Sequence, residues 1–284
     1  SNDKQRYKCM ACGRSFVGGL RVKSENILTE YLLGKQTYTQ LAEKYNCSNK
    51  TIQRKIDQSS AQQNRTFPSQ VNVLMDTTYF GKSFGVMVFK DSITGVILLK
   101  KYVKQETNLL YLDGIKEIAR RGIKIESIIC DGRRGLFSLF ANVPMQYCQF
   151  HQVKTIRTYL TKKPKMQASK ELWVLTLLLS KTDKESFVGG LEQWHAKWEW
   201  FLNERKIDER GKKRYVHKKL RSAYRSLKTN LPWLFTWYDN LELNIPNTTN
   251  AIDGHFSDLK NKLRNHNGLS IDRKKKLIDE FFKA

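Results

Sequence analysis

Two short apolar runs each break at an aspartate, and this pair constrains the fold more than any other feature. V-N-V-L-M at 71–75 stops at Asp76, and I-E-S-I-I-C at 125–130 stops at Asp131-Gly132. Runs of this length, rich in Val and Ile and bounded by polar or turn residues, read as buried strands. Strands buried on both faces need helices to cover them, so an α/β architecture with a mostly interior sheet is expected. A third acid, Asp253 in T-T-N-A-I-D-G, opens a polar helix that Thr248 or Thr249 can cap.

Between the two strands the chain alternates regularly. Phe84–Phe89 and Val96–Val103 read as strands joined by the turn 91–95, D-S-I-T-G. Thr107–Arg121 reads as a helix with Leu109, Leu110, Leu112, Ile115, Ile118 and Ala119 facing inward, ended by Gly122. Leu136–Ala141 gives a short helix and Met145–Cys148 a fifth strand. The order β-β-β-α-β-α-β is that of a ribonuclease H-like fold, in which strands one and four are neighbours. Two carboxylates meeting there would repel each other, and a pair of divalent cations turns that repulsion into ligation. Oxygen donors favour Mg2+ or Mn2+.

Charge points to the substrate. The 284 residues hold 51 Lys and Arg against 27 Asp and Glu, a formal net charge of +24. The basic residues run the whole length, and 11% aromatic content supplies a core, so a folded nucleic-acid binder is favoured over a disordered polycation. The longest apolar stretch, Leu172–Leu179, is interrupted by Thr176 and is far short of the roughly 18 residues a membrane span needs. No secretory leader pattern opens the chain, and five cysteines with only Cys9 and Cys12 adjacent suggest a reducing compartment, not a disulfide framework.

The N-terminal region has its own signals. C-M-A-C-G at 9–13 has the spacing of one zinc-ribbon knuckle. Zinc at Cys9 and Cys12 needs a second ligand pair; none follows, and a pair ahead of residue 1 could supply it. Two free thiols are the alternative. Residues 23–57 predict three helices: Lys23–Leu33 closed by Gly34, Tyr38–Tyr45 capped by Thr37, and Asn49–Ile56 capped by Ser48. Asn46 supplies a left-handed turn residue, Leu41, Ala42, Ile52 and Ile56 point inward, and Asn49, Lys50, Gln53, Arg54 and Lys55 remain outside. That exposed set suits base edges and phosphates, so a helix-turn-helix is expected, with a bundle that touches no DNA as the alternative.

At M-D-T-T, C-D-G, Y-C-Q-F-H (147–151) and T-T-N-A-I-D-G-H-F the chain resembles the DDE/D transposases of the Mutator-like superfamily and their prokaryotic insertion-sequence relatives. The resemblance runs from about residue 5 to the C-terminus. It implies catalytic, metal-binding Asp76, Asp131 and Asp253, although the family more often carries glutamate at the third position. Glu242 and Asp258 compete for that position but do not match the motif. Cys148 and His151 occupy the family's C-x-x-H signature. A supporting role behind the acids, with His151 near the substrate phosphate, suits them better than zinc, because no second pair lies nearby.

Asp76 and Asp131 are 55 residues apart, but Asp131 and Asp253 are 122 apart, more than a bare core requires. The extra length contains all six tryptophans and a basic stretch with Lys212, Lys213, Arg214, Lys218, Arg221 and Arg225. The stretch suits either a solvated helix or a phosphate-tracking surface. The resemblance implies an all-helical insertion there. The expected organisation is a partial zinc ribbon (1–20), a helix-turn-helix (21–58), a linker (59–69), a first core segment (70–164), the insertion (165–245), and a last core segment (246–284) with Asp253, Lys260 and Arg264 facing DNA. The implied activity is metal-dependent cleavage of DNA at terminal inverted repeats followed by strand transfer to target DNA. Two Mg2+ or Mn2+ ions would serve it, in a homodimer or larger assembly, with no membrane and no small-molecule substrate. The compartment would be cytoplasm or nucleoid in a prokaryote and nucleus in a eukaryote. A catalytically silent DNA-binding regulator and a structure-specific ribonuclease H-like nuclease are the rivals.

Overall fold

A computed structural model describes residues 6–17, 24–32, 34–59, 66–266 and 268–282. Lys23, Leu33 and linker residues 60–65 therefore lie outside the described residues, as do 1–5 and 18–20 of the expected ribbon.

The chain opens with a two-stranded antiparallel hairpin, β1 (Arg6–Lys8) and β2 (Ser15–Val17), whose turn holds Cys9 and Cys12. Three helices follow: α1 (Ser24–Leu32), α2 (Tyr38–Lys44) and α3 (Asn49–Gln58). Thr37 caps α2 in a capping box with Gln40, and Ser48 caps α3 by accepting from the Thr51 N–H. Asn46 takes φ 47°, as the turn between α2 and α3 requires. Ile27, Tyr31, Leu41, Ala42, Ile52 and Ile56 are buried.

From Gln70 a five-stranded mixed sheet is built, in the order β5-β4-β3-β6-β7. Its strands are β3 (Gln70–Phe80), β4 (Phe84–Asp91), β5 (Ile97–Val103), β6 (Lys124–Cys130) and β7 (Met145–Tyr147). The first three form an antiparallel meander, whereas β6 joins β3 and β7 joins β6 in parallel. The expected adjacency of the strands bearing Asp76 and Asp131 is therefore present. The first strand does not stop at Asp76, however. Thr77, Thr78, Tyr79 and Phe80 suit a pleated ladder, and they pair with β4 out to Phe84. What ends near Asp76 is the parallel ladder with β6.

Helix α4 (Asn108–Arg120), capped by Thr107, covers one face of the sheet. Of the expected inward face, Ile115 and Ile118 are buried and Leu110 and Leu112 pack partly buried on the core, but Tyr111 and Gly114 complete the buried side and Leu109 is 66% exposed. The reason is a close approach: a Cβ at Gly114 would lie 2.1 Å from the Phe89 ring, so the glycine turns that side of the helix onto β4. The short helix expected at 136–141 is a 3-10 turn, Phe137–Phe140. An unexpected helix, α5 (Gln149–Leu160), follows β7 directly.

The expected insertion is not all-helical. Helices α6 (Gln167–Leu178) and α7 (Lys184–Asn203) lead to an antiparallel hairpin, β8 (Arg205–Ile207) with β9 (Lys213–Tyr215). Helix α8 (Lys218–Leu234) and the single turn α9 (Thr236–Asp239) complete it. Half of the basic stretch thus lies on a strand and turn, because Asp208 accepts from the backbone N–H of Arg210 and Lys212 and from the Arg214 side chain. Trp194 is buried, Trp173, Trp198, Trp233 and Trp237 pack around its cluster, and Trp200 stays 69% exposed. Aromatic placement here is mostly core.

Helices α10 (Asn250–Arg264) and α11 (Ile271–Phe281) end the chain. Two compact units result: 66–256, and 1–65 with 257–284. The last core segment expected at 246–284 is therefore divided within α10. In the N-terminal unit, Tyr31 stacks on Tyr38 at 4.8 Å and on His266 at 3.9 Å, and Arg273 pairs with Asp57 at 2.9 Å. Among the described residues no helix is long and apolar enough to cross a membrane.

Candidate active site

Strand register places the first two acids level with each other. The last β3–β6 pair is Leu74 with Ile129, and Asp76 and Asp131 each follow two residues later. Side chains alternate along strands, so Asp76 leaves the sheet on the face of Leu74. On that face Leu74 and Ile129 pack with Ile245, whereas Val73, Met75, Ile128 and Cys130 pack on the opposite side, where α4 lies. Gly132 follows Asp131 for a steric reason: a Cβ there would lie 1.6 Å from the Tyr147 ring, which is stacked on Phe137.

The third acid is brought to this face by the returning chain. Buried amides hold that return in place. Asn72 donates to the Leu243 carbonyl at 2.7 Å and accepts from Ser127 at 2.7 Å. Gln146 and Gln149 both donate to the Leu234 carbonyl, and the Gln149 N–H donates to the Asn247 carbonyl. The buried Lys90 ammonium donates to the Ala251 carbonyl at 3.2 Å, tying the first turn of α10 to β4. Asp253 sits in that first turn, its N–H bonded to the Thr249 carbonyl.

Electrostatics show that the three acids share one neighbourhood. Burial pushes the Asp76 carboxyl up to about 7; the Thr77 N–H opposes this, Asp131 and Asp253 add to it, and His151 opposes it. Asp131 is also raised by burial, with His151 and Arg133 working against the rise and Asp253 adding to it. Asp76 accepts the Thr77 N–H at 2.7 Å, and the Arg133 N–H bonds to the Asp131 carbonyl at 2.9 Å. Among the described residues no three His, Cys, Asp or Glu side chains are already arranged to hold an ion.

Cys148 and His151 adjoin this cluster through Thr249. Cys148 accepts from both the N–H and the hydroxyl of Thr249 at 3.2 Å. The same hydroxyl lies 3.0 Å from Asp253 Oδ2 and 3.4 Å from His151 Nδ1. A hydroxyl has one proton to donate, so Cys148 Sγ and Asp253 Oδ2 compete for the Thr249 proton, while His151 Nδ1 can donate to the hydroxyl oxygen. Hydrogen bonding to Cys148 raises His151 to about 9 despite its burial, helped by the charges of Cys148, Asp253 and Asp76. For Cys148, burial acts upward, but His151 and Thr249 outweigh it and the thiol falls below its usual value.

Sequence reasoning missed Thr249's hydrogen-bond role, Lys90, and a fourth acid, Glu106. Burial raises Glu106, the Tyr111 hydroxyl bond lowers it, and Asp131 raises it again. Tyr111 links Glu106 at 2.8 Å to Thr77 at 2.9 Å, and Arg133 donates to the Glu106 carbonyl at 2.8 Å. Only Thr249 had a sequence signal, its place just before the last helix.

The other predicted residues lie elsewhere. Asn49, Lys50 and Arg54 are exposed on α3, and Gln53 and Lys55 are partly exposed. Lys260 and Arg264 follow on α10 in the stretch grouped with the N-terminal helices. Cys9 lies at the hairpin turn, where the N–H groups of Cys12 and Ala11 hold its thiol below the usual range. Gly13 closes that turn at φ 69°. No protein-family model and no curated protein sequence matches this chain.

Proposed function

We propose that the chain is a DDE/D-type DNA transposase, cleaving phosphodiesters at element ends and transferring the freed strand to target DNA. On this reading the mixed sheet is a ribonuclease H-like core, α2 and α3 form a DNA-reading helix-turn-helix, and Cys9 and Cys12 supply half a zinc ribbon. The observation that carries it is the convergence of Asp76, Asp131 and Asp253 in one poorly compensated anionic cluster.

The donor chemistry fits Mg2+ or Mn2+. Hard carboxylate oxygens predominate, and burial together with mutual repulsion leaves Asp76 short of a counter-charge. Asp76, Asp131 and Asp253 would hold the ions, which when bound supply Lewis-acid activation of oxygen and neutralise phosphate charge. The protein's own residues position these ligands. Thr249 orients Asp253, Lys90 anchors its helical turn, and the Glu106–Tyr111–Thr77 chain fixes the backbone beside Asp76. His151 places a positive group among the acids, suited to a substrate phosphate. Asn49, Lys50, Gln53, Arg54 and Lys55 would read the end sequence, and holding two ends together calls for a homodimer or larger assembly.

The test is Mn2+-dependent nicking of supercoiled DNA. Asp131→Asn should lower the rate by about 10³-fold or more while DNA binding persists. Equal cutting by the variant contradicts the assignment. Binding without cutting by the parent protein would indicate a silent regulator, and preferential cutting of four-way junctions a structure-specific nuclease.

A further inference from the structure

The helical segment 167–234 contains a second charged feature, distinct from the acid cluster. A cleft of about 240 Å³ lies between α7 and α8. Three of its cations, Arg221, Arg225 and Lys228, recur at helical spacing on α8 and so share one side. One carboxylate, Glu199, faces them from α7. Tyr224 and His195, stacked at 4.5 Å and nearly parallel, form an aromatic wall.

Arg221 is pre-positioned. Its Nη1 donates to the Leu202 carbonyl at 2.6 Å and to Asn203 Oδ1 at 3.0 Å, and its guanidinium lies 3.5 Å from the centre of the Tyr215 ring. These contacts use one edge and one face of the group and leave its Nη2 side without a protein acceptor among the described residues. Arg225 and Lys228 likewise have no ion-pair partner among the described residues. Three neighbouring cations with one facing acid are a surface that gains from an anion bearing several acceptor oxygens.

The positive surface extends past the cleft. Tyr215 belongs to β9, and the Arg205 guanidinium covers the same ring at 4.5 Å. Lys206, Lys213 and Arg214 are exposed on that hairpin, whose turn is fixed by Asp208. A run of cations longer than one phosphate suits a polymer.

We propose that the α7–α8 cleft and the β8–β9 hairpin bind successive backbone phosphates of a DNA duplex. The assignment rests on the reading that this chain acts on DNA, but it concerns surface remote in sequence from the three acids and from α3. It predicts non-specific affinity, because phosphate contacts carry no base information.

The test uses the full chain and the double variant Arg225→Gln/Lys228→Gln, with fluorescence anisotropy of a labelled duplex measured across a salt series. Both side chains are exposed, and circular dichroism should show an unchanged fold. The slope of log K against log salt should become shallower by about 2, as expected for two lost phosphate contacts. The matched control Lys162→Gln/Lys163→Gln should leave the slope close to that of the parent. An unchanged slope in the cleft variant, or an equal change in the control, overturns the assignment while the DNA reading stands. If the parent binds no duplex, both fall. Inorganic phosphate is titrated at constant ionic strength as a separate arm. Cleft-dependent phosphate binding with an unaffected DNA slope would mark a free-phosphate site and overturn the proposal.

Discussion

The acid cluster and the basic cleft carry opposite charges in opposite settings. Asp76 and Asp131 are only partly accessible and repel each other, and burial raises both. Arg225 and Lys228 are exposed, where water and salt screen their repulsion. Electrostatic strain can therefore be substantial in the first region and slight in the second. Strain held in a folded protein points to chemistry that relieves it, which on the proposed function is cation binding, whereas a screened surface acts by the sum of many weak contacts.

The largest effect that would sharpen this contrast is the pH dependence of the metal-free protein. An ordinary aspartate titrates near 3.8, and Asp76 near 7. Because the folded value is raised, the associated stability is fully present below the unfolded value and is lost as pH rises through 7. With EDTA present, stability from urea denaturation should fall by about 3 kcal/mol between roughly pH 5 and pH 8. Asp76→Asn should flatten that fall, and Mn2+ should restore the parent near pH 8. A variant profile as steep as the parent's would break the contrast on the buried side.

The smallest effect lies on the exposed side. Arg225→Gln/Lys228→Gln should shift unfolding stability by no more than about 0.5 kcal/mol, since neither side chain has an ion-pair partner among the described residues. A loss above about 2 kcal/mol would show that the cleft cations hold the fold together, and the comparison would fail.

The acids were legible because a charge ending a run of Val and Ile is a strong local signal. The neighbouring-strand relation that brings Asp76 beside Asp131 followed from element order. Helices α2 and α3 were legible from their caps and the turn between them, since Thr37, Ser48 and Asn46 act within a few residues of themselves. Helix α5 was missed because Gln149 and Gln152, both fully buried, break the apolar periodicity that marks a buried face. Hairpin β8–β9 was missed because its charges conceal any alternation, and Asp208 organises it through turn contacts. On α4, Ile115 and Ile118 were legible as inward, whereas Gly114 was not, because it packs by lacking a side chain. Lys90 and Glu106 gave no signal at all: one meets the Ala251 carbonyl and the other is influenced by Asp131, across distances only the fold closes.

The central claim is that three distant carboxylates jointly hold divalent cations. Anomalous scattering from crystals of the full chain soaked in Mn2+ tests it most directly. The expected result is manganese bound by oxygens of Asp76, Asp131 and Asp253, and absent from crystals of Asp131→Asn. Manganese bound elsewhere, or unchanged by that substitution, would contradict the account.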